Sequence, residues 1–223
     1  MKPSQIELTD LKNTAMIFEP NHIYHIYNQG NNRQKIFFNR ENYLFFLKKI
    51  GEHILPFADI LAWCLMPNHF HLMIYVRESD DPTHRTESEA LTNTDKTLND
   101  SIGVLLRSYT RAINKQRNTT GSVFRKKTKA ECISKGFTLS ETLTNQNETL
   151  TNKDETITDK EYLQTCFDYI HQNPTKSGLV AHPEKWEFSS WLDYYGIRNG
   201  KLINRERATA LGLDMRHLSE GFT

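Results

Sequence analysis

Two histidines and a tyrosine carry the chemistry this sequence offers. In Leu65-Met66-Pro67-Asn68-His69-Phe70-His71-Leu72-Met73-Ile74-Tyr75-Val76, an extended chain sends alternate side chains to opposite faces. His69, His71, Met73 and Tyr75 then share one face, and Phe70, Leu72, Ile74 and Val76 form an apolar stripe on the other. Histidines two apart on a strand root about 6 to 7 Å from each other, so both rings can turn to one divalent cation. The same spacing also fits two imidazoles on a half-exposed sheet, and a third ligand and a reacting partner decide between the two. The partner lies in Asp159-Lys160-Glu161-Tyr162-Leu163-Gln164-Thr165-Cys166-Phe167-Asp168-Tyr169-Ile170-His171-Gln172-Asn173-Pro174. Asp159 as N-cap, Glu161 in the first turn and Pro174 as stop predict a helix of about four turns. Leu163, Phe167 and Ile170 fall on one side of it, and Tyr162, Cys166, Tyr169 and Asn173 on another. A phenol one turn from an amide is a nucleophile beside a possible third metal ligand.

Positioning these groups takes a core, and 223 residues with 37% apolar side chains can bury one, as a single domain over residues 1–223. A first strand is predicted at His22–Asn28, then a polar turn at Gln29–Arg33. Asn39 caps a predicted helix over Arg40–His53, and a second strand at Asp59–Leu65 pairs antiparallel with the histidine strand. Residues 77–100 read as a polar insertion, Ser101–Asn118 as a basic amphipathic helix, and Val123–Ile133 as a further strand or hairpin. Tyr109 is the rival tyrosine, but it sits in the apolar stripe of its helix, which favours core packing. Residues 138–158 form a second polar insertion, with a short echo in Glu141-Thr142-Leu143-Thr144-Asn145 and Glu148-Thr149-Leu150-Thr151-Asn152. A C-terminal extension follows after about residue 196. The order implies an α+β sandwich with a central antiparallel sheet and helices on one face.

The motifs together resemble the single-tyrosine HUH transposases, in particular the REP-associated tyrosine transposases. The residues that carry the likeness are His69-Phe70-His71 after Met66-Pro67-Asn68, and Tyr169-Ile170-His171-Gln172-Asn173-Pro174. To these are added Tyr24-His25-Ile26-Tyr27-Asn28-Gln29-Gly30-Asn31, Gly121-Ser122-Val123-Phe124-Arg125 and Trp186-Glu187-Phe188-Ser189-Ser190. The resemblance implies a ferredoxin-like or RRM-like sandwich with the histidine strand central and the tyrosine helix beside it. It further implies Tyr169 as nucleophile, His69, His71 and Asn173 as ligands of Mg2+ or Mn2+, and a 5′-phosphotyrosine intermediate. The implied partner is single-stranded or hairpin DNA, met by a monomer acting in cis in preference to a homodimer. The sequence does not identify the base that takes the phenolic proton; water and His171 are the candidates. Two rival readings stay open: an RRM-like nucleic-acid binder that does not cleave, and a metal-dependent phosphodiesterase that uses water.

Charge supports a nucleic-acid partner. The chain totals +1, yet between Ser101 and Gly136 nine Lys and Arg face Glu131 alone, a local net charge of +8. Arg107, Arg111 and Lys115 on the helix, with Arg125, Lys127 and Lys129 after it, are the candidate phosphate contacts. Arg33 joins them if its turn lies near DNA and is an ordinary loop residue otherwise. No run of eighteen apolar residues is present, which excludes a membrane helix, and the first residues lack a secretory pattern, so a cytoplasmic location is expected. Cys64, Cys132 and Cys166 are too scattered for a disulfide framework or a thiolate zinc site.

Overall fold

The apolar alternation of the strands becomes a four-stranded antiparallel sheet in the computed structural model, which describes residues 16–78, 96–134 and 159–215. The strands are β1 (Ile23–Gln29), β2 (Ala58–Met66), β3 (His69–Val76) and β4 (Lys129–Cys132), in spatial order β2-β3-β1-β4. The helices are α1 (Arg40–His53), α2 (Leu98–Arg117), α3 (Asp159–Lys176) and two short ones, α4 (Trp191–Tyr194) and α5 (Arg205–Ala210). The α+β fold is as expected, with β3 inside the sheet.

The helices do not share one face. α1 and α2 cover the side lined by Tyr24, Ile26, Phe70, Leu72 and Ile74, where Phe46, Ile50, Leu105 and Tyr109 complete the core. α3 covers the other side, through Leu163, Cys166, Phe167 and Ile170 against Ile23, Cys64, Met73 and Tyr75. The reason lies in β3 itself: both of its faces are buried along most of its length, so each needs its own helical layer. The tyrosine helix had to take the histidine face.

Local signals explain the element ends, with three departures from expectation. Asn39 caps α1 through a side chain that accepts from the Asn42 amide, as predicted. α2 begins at Leu98, three residues earlier than expected, because Thr97 and Asp100 form a reciprocal capping box. Pro174 does not stop α3. The helix runs on to Lys176, and Gly178, with φ +73°, provides the left-handed residue after its end. Of the predicted strand at 123–133 only Lys129–Cys132 pairs regularly with β1. Before it the chain bends around Asn28, whose amide donates to Arg125 O at 3.2 Å and Thr128 Oγ1 at 2.9 Å.

The aromatic block after α3 protects the outer edge of β2. Leu65 donates to Phe188 O at 2.8 Å and Ser190 to Trp63 O at 2.9 Å, so backbone groups that would face solvent are paired. The C-terminal extension joins the body: Asn204 donates to Ile60 O at 2.9 Å, and Ala208, Leu211 and Leu213 enter the core under α3. Arg77 also belongs to the body, bonded at 2.8 Å to buried Asp59, which Arg207 holds from the other side at 3.1 Å. Both repeats and most of the two polar insertions fall outside the described residues.

Candidate active site

Antiparallel pairing puts opposed residues on the same face, and the register lays out the site as rows across the sheet. Cys64, His71, Tyr27 and Lys129 form one row, and Met66, His69 and Gln29 the next. His71 is buried and His69 half-buried. Their rings meet edge-on with centroids 5.0 Å apart.

α3 delivers the phenol to this patch. Tyr169 is 41% exposed, with its ring 5.4 Å from that of His71 and 6.2 Å from that of His25. One turn later Asn173 is buried and donates from Nδ2 to Tyr169 O at 3.1 Å. Lys176 sets its ammonium 5.9 Å from the Tyr169 ring centroid. One chain therefore assembles His69, His71, Tyr169 and Asn173.

Hydrogen bonds dispose the imidazoles alike. His69 Nδ1 lies 2.6 Å from Asn68 Oδ1, and His71 Nδ1 lies 2.8 Å from His25 Nε2. Each contact engages Nδ1. Among the described residues His71 Nε2 is buried and has no hydrogen-bond partner, which leaves it able to meet a cation. Burial holds both histidines below the ordinary imidazole range, His71 far below it; beside His69 the Asn173 amide pulls the other way. Burial pushes His25 down to about 4, against the opposing pull of Glu131. Neutral imidazoles are the form that binds metals. Among the described residues no group of three or more His, Cys, Asp or Glu suits a metal ion, so a cation here would rest on two imidazoles and the Asn173 amide.

His171 leaves the site. It sits on the opposite side of α3 from Tyr169, fully buried, with Nδ1 2.9 Å from Phe167 O and Nε2 2.7 Å from Ser190 Oγ. It ties α3 to the edge segment and cannot serve Tyr169 as a base. Tyr109 is buried too, donating to Ile36 O at 2.7 Å in the other layer.

The basic residues divide between layers. Lys129 flanks Tyr27 on the histidine face, and Arg125 follows Gln29 along the same end of the sheet, its amide bonded to Gln29 O at 2.8 Å. Lys127 is exposed in the bend between them. Arg33 O accepts from Asn68 Nδ2 at 3.2 Å, which places the Asn31–Arg33 turn beside His69. Arg107, Arg111 and Lys115 are exposed on α2, across the sheet from the histidines.

Four neighbours of the site were not singled out from sequence: His25, Tyr27, Asn68 and Glu131. Tyr27 donates to Glu131 Oε1 at 2.6 Å, and this bond leads the causes that push its phenol up to about 12. Alternation along β1 puts His25 and Tyr27 on one face, but only the β1–β3 register shows that this face meets His71.

No protein-family model matches the chain, and no curated protein sequence does. A solved structure does: that of a REP-associated tyrosine transposase bound to a REP hairpin, with a TM-score of 0.50 over 83% of this chain and 86% of that one, at 16% identity. At that identity the likeness shows the fold alone. The shared fold is an α+β sandwich built on an antiparallel sheet, and no helix among the described residues is long and apolar enough to cross a membrane.

Proposed function

We propose that this protein cleaves and rejoins single-stranded DNA near hairpins in a transposase-like reaction, with Tyr169 as nucleophile. The observation that carries the reading is the convergence, within one chain, of a solvent-reaching phenol and two imidazoles whose Nδ1 atoms are engaged. His69, His71 and Asn173 would hold Mg2+ or Mn2+, and the unpartnered Nε2 of His71 supports that fit. Such a cation supplies charge neutralisation at the non-bridging oxygens of a phosphodiester.

The chain's own residues do the rest. Tyr169 Oη forms a bond to phosphorus as the bond to the 3′ oxygen breaks, and that oxygen takes a proton from water to leave as a free hydroxyl. The phenolic proton passes to water, which reaches Tyr169 at its exposed edge. The resulting 5′-phosphotyrosine conserves the phosphoester bond, so attack by another 3′ hydroxyl rejoins strands without a nucleotide cofactor. Arg33, Arg125, Lys127 and Lys129 hold the backbone near the site. The reading includes a cytoplasmic monomer acting in cis.

The test is incubation of wild type and Tyr169→Phe with labelled single-stranded hairpin DNA from the flanks of the gene, plus Mn2+, scored for a denaturation-resistant adduct. An adduct in the wild type alone is the expected result. Cleavage without adduct in both would replace this reading by a water-using phosphodiesterase. Tight binding without cleavage would replace it by an RRM-like binding module.

A further inference from the structure

His25 has no part in the reaction as written, yet its side chain hydrogen-bonds with that of His71. It is buried on β1, with its ring stacked on that of His71 at 5.0 Å and 22°. Tyr27 bounds it at 4.9 Å and Tyr169 at 6.2 Å, so the ring has little freedom to turn. Its Nε2 lies 2.8 Å from His71 Nδ1.

One proton occupies that contact, and it belongs to one ring or the other. If His25 supplies it, neutral His71 carries its own proton on Nε2. That atom is buried without an acceptor among the described residues, and an unsatisfied buried donor is destabilising. If His71 supplies it, His71 Nε2 is a bare lone pair and His25 carries its proton on Nδ1. His25 Nδ1 is not among the buried atoms that lack a partner. The second arrangement orphans no N–H.

We propose that His25 is a positioning residue: its Nε2 accepts from His71 Nδ1–H, fixing the tautomer of His71 that keeps an Nε2 lone pair for a divalent cation. The proposal rests on the reading of His71 as a metal ligand. Imidazole ligands generally donate their second N–H to a carboxylate, a backbone carbonyl or water, and that partner orients the ring and raises its basicity. Here a second imidazole fills the place. Because it is itself packed between rings, it fixes an orientation that water would leave loose.

Two substitutions separate the hydrogen bond from the space it fills. His25→Gln brings an amide oxygen close to the position of Nε2 and keeps an acceptor. His25→Leu keeps apolar bulk and removes it. Two readouts are taken on folded, 15N-labelled full chain: the tautomer of His71 from long-range imidazole 1H–15N spectra without metal, and Mn2+ affinity from electron paramagnetic resonance. The wild type and His25→Gln are expected to show His71 as Nδ1–H and to bind Mn2+ alike. His25→Leu is expected to lose that tautomer preference and to bind Mn2+ about 10- to 100-fold more weakly. An Nε2–H tautomer in the wild type overturns the proposal. So does undiminished Mn2+ affinity in His25→Leu, or a loss in His25→Gln as large as in His25→Leu, since either makes His25 a packing residue. A wild type that binds no Mn2+ while His71 is Nδ1–H overturns the metal reading, and this role falls with it.

Discussion

The ring of Tyr169 meets that of His71 edge-on, with centroids 5.4 Å apart and planes at 84°. The contact is made by ring edges and faces, so it survives loss of the hydroxyl. Tyr169→Phe is therefore expected to leave stability within about 0.5 kcal/mol of wild type while abolishing the DNA adduct. Tyr109→Phe should do the reverse. It removes a buried donor from Ile36 O, costing about 1–3 kcal/mol in urea unfolding, and leaves adduct formation intact. Adduct loss in Tyr109→Phe at full folding would assign the nucleophile to the wrong helix.

The two layers of basic residues give a second prediction. Combined Arg125→Gln, Lys127→Gln and Lys129→Gln should weaken single-stranded hairpin binding and flatten its salt dependence, by about 0.7 in log–log slope for each phosphate no longer neutralised. Combined Arg107→Gln, Arg111→Gln and Lys115→Gln should do far less, because α2 stands across the sheet from the histidines. Equal losses would mean that DNA wraps both layers. Fluorescence anisotropy over a salt series reads both numbers.

The rows across the sheet show how far sequence could reach. Alternation along β3 groups His69 with His71, and helical spacing on α3 groups Tyr169 with Asn173; both patterns are short-range and both appear in the structure. What joins the two groups is the layering, which element order misrepresents. That order implies packing on one face, whereas burial on both faces of β3 calls for two helical layers. Pro174 misleads for a related reason. Its missing N–H costs one hydrogen bond near a helix end, and that loss does not stop the chain from continuing to Gly178. His25 is invisible in sequence because its importance lies in register. No local pattern reports that β1 lies beside β3 with Tyr27 opposite His71. His171 is a candidate base by sequence proximity to Tyr169, but two residues along a helix is about 200° of rotation, which points it into the core.

His171 also gives the protein an acid-sensitive element. Burial pushes its pKa down to about 3, while Phe167 O pulls weakly upward. Between the ordinary value of 6.5 and about 3, the unfolded chain binds a proton that the folded chain does not. Stability is therefore full above about pH 6.5 and falls as the pH drops through this window, by at most about 1.4 kcal/mol per unit from this group. Urea unfolding from pH 7 to pH 4 should show His171→Gln less stable than wild type at pH 7 but with a shallower decline. Parallel declines would mean that His171 is protonated in the folded protein.

Gly30 and Gly51 should respond oppositely to alanine. A Cβ on Gly30 would lie 2.2 Å from Gln34 O and 2.9 Å from Ile36 Cγ2, so backbone must move. Gly30 donates to Asn68 O at 2.8 Å and opens the turn in which Asn32 and Arg33 hold φ of 52° and 59°. Asn68 in turn holds Nδ1 of His69 at 2.6 Å. Displacement at Gly30 thus travels through Asn68 to His69, while also moving Arg33. Gly30→Ala is expected to cost about 1–3 kcal/mol and to lower Mn2+ affinity as well as DNA affinity. Gly51 lies inside α1, and a Cβ there would meet Leu202 Cδ2 at an ordinary 3.5 Å. Gly51→Ala should stabilise by about 0.5–1 kcal/mol through helix propensity and leave both affinities unchanged. Chemical unfolding with parallel Mn2+ and DNA titrations reads the contrast. Unaltered Mn2+ binding in a folded Gly30→Ala would show that the turn and His69 are not coupled through Asn68.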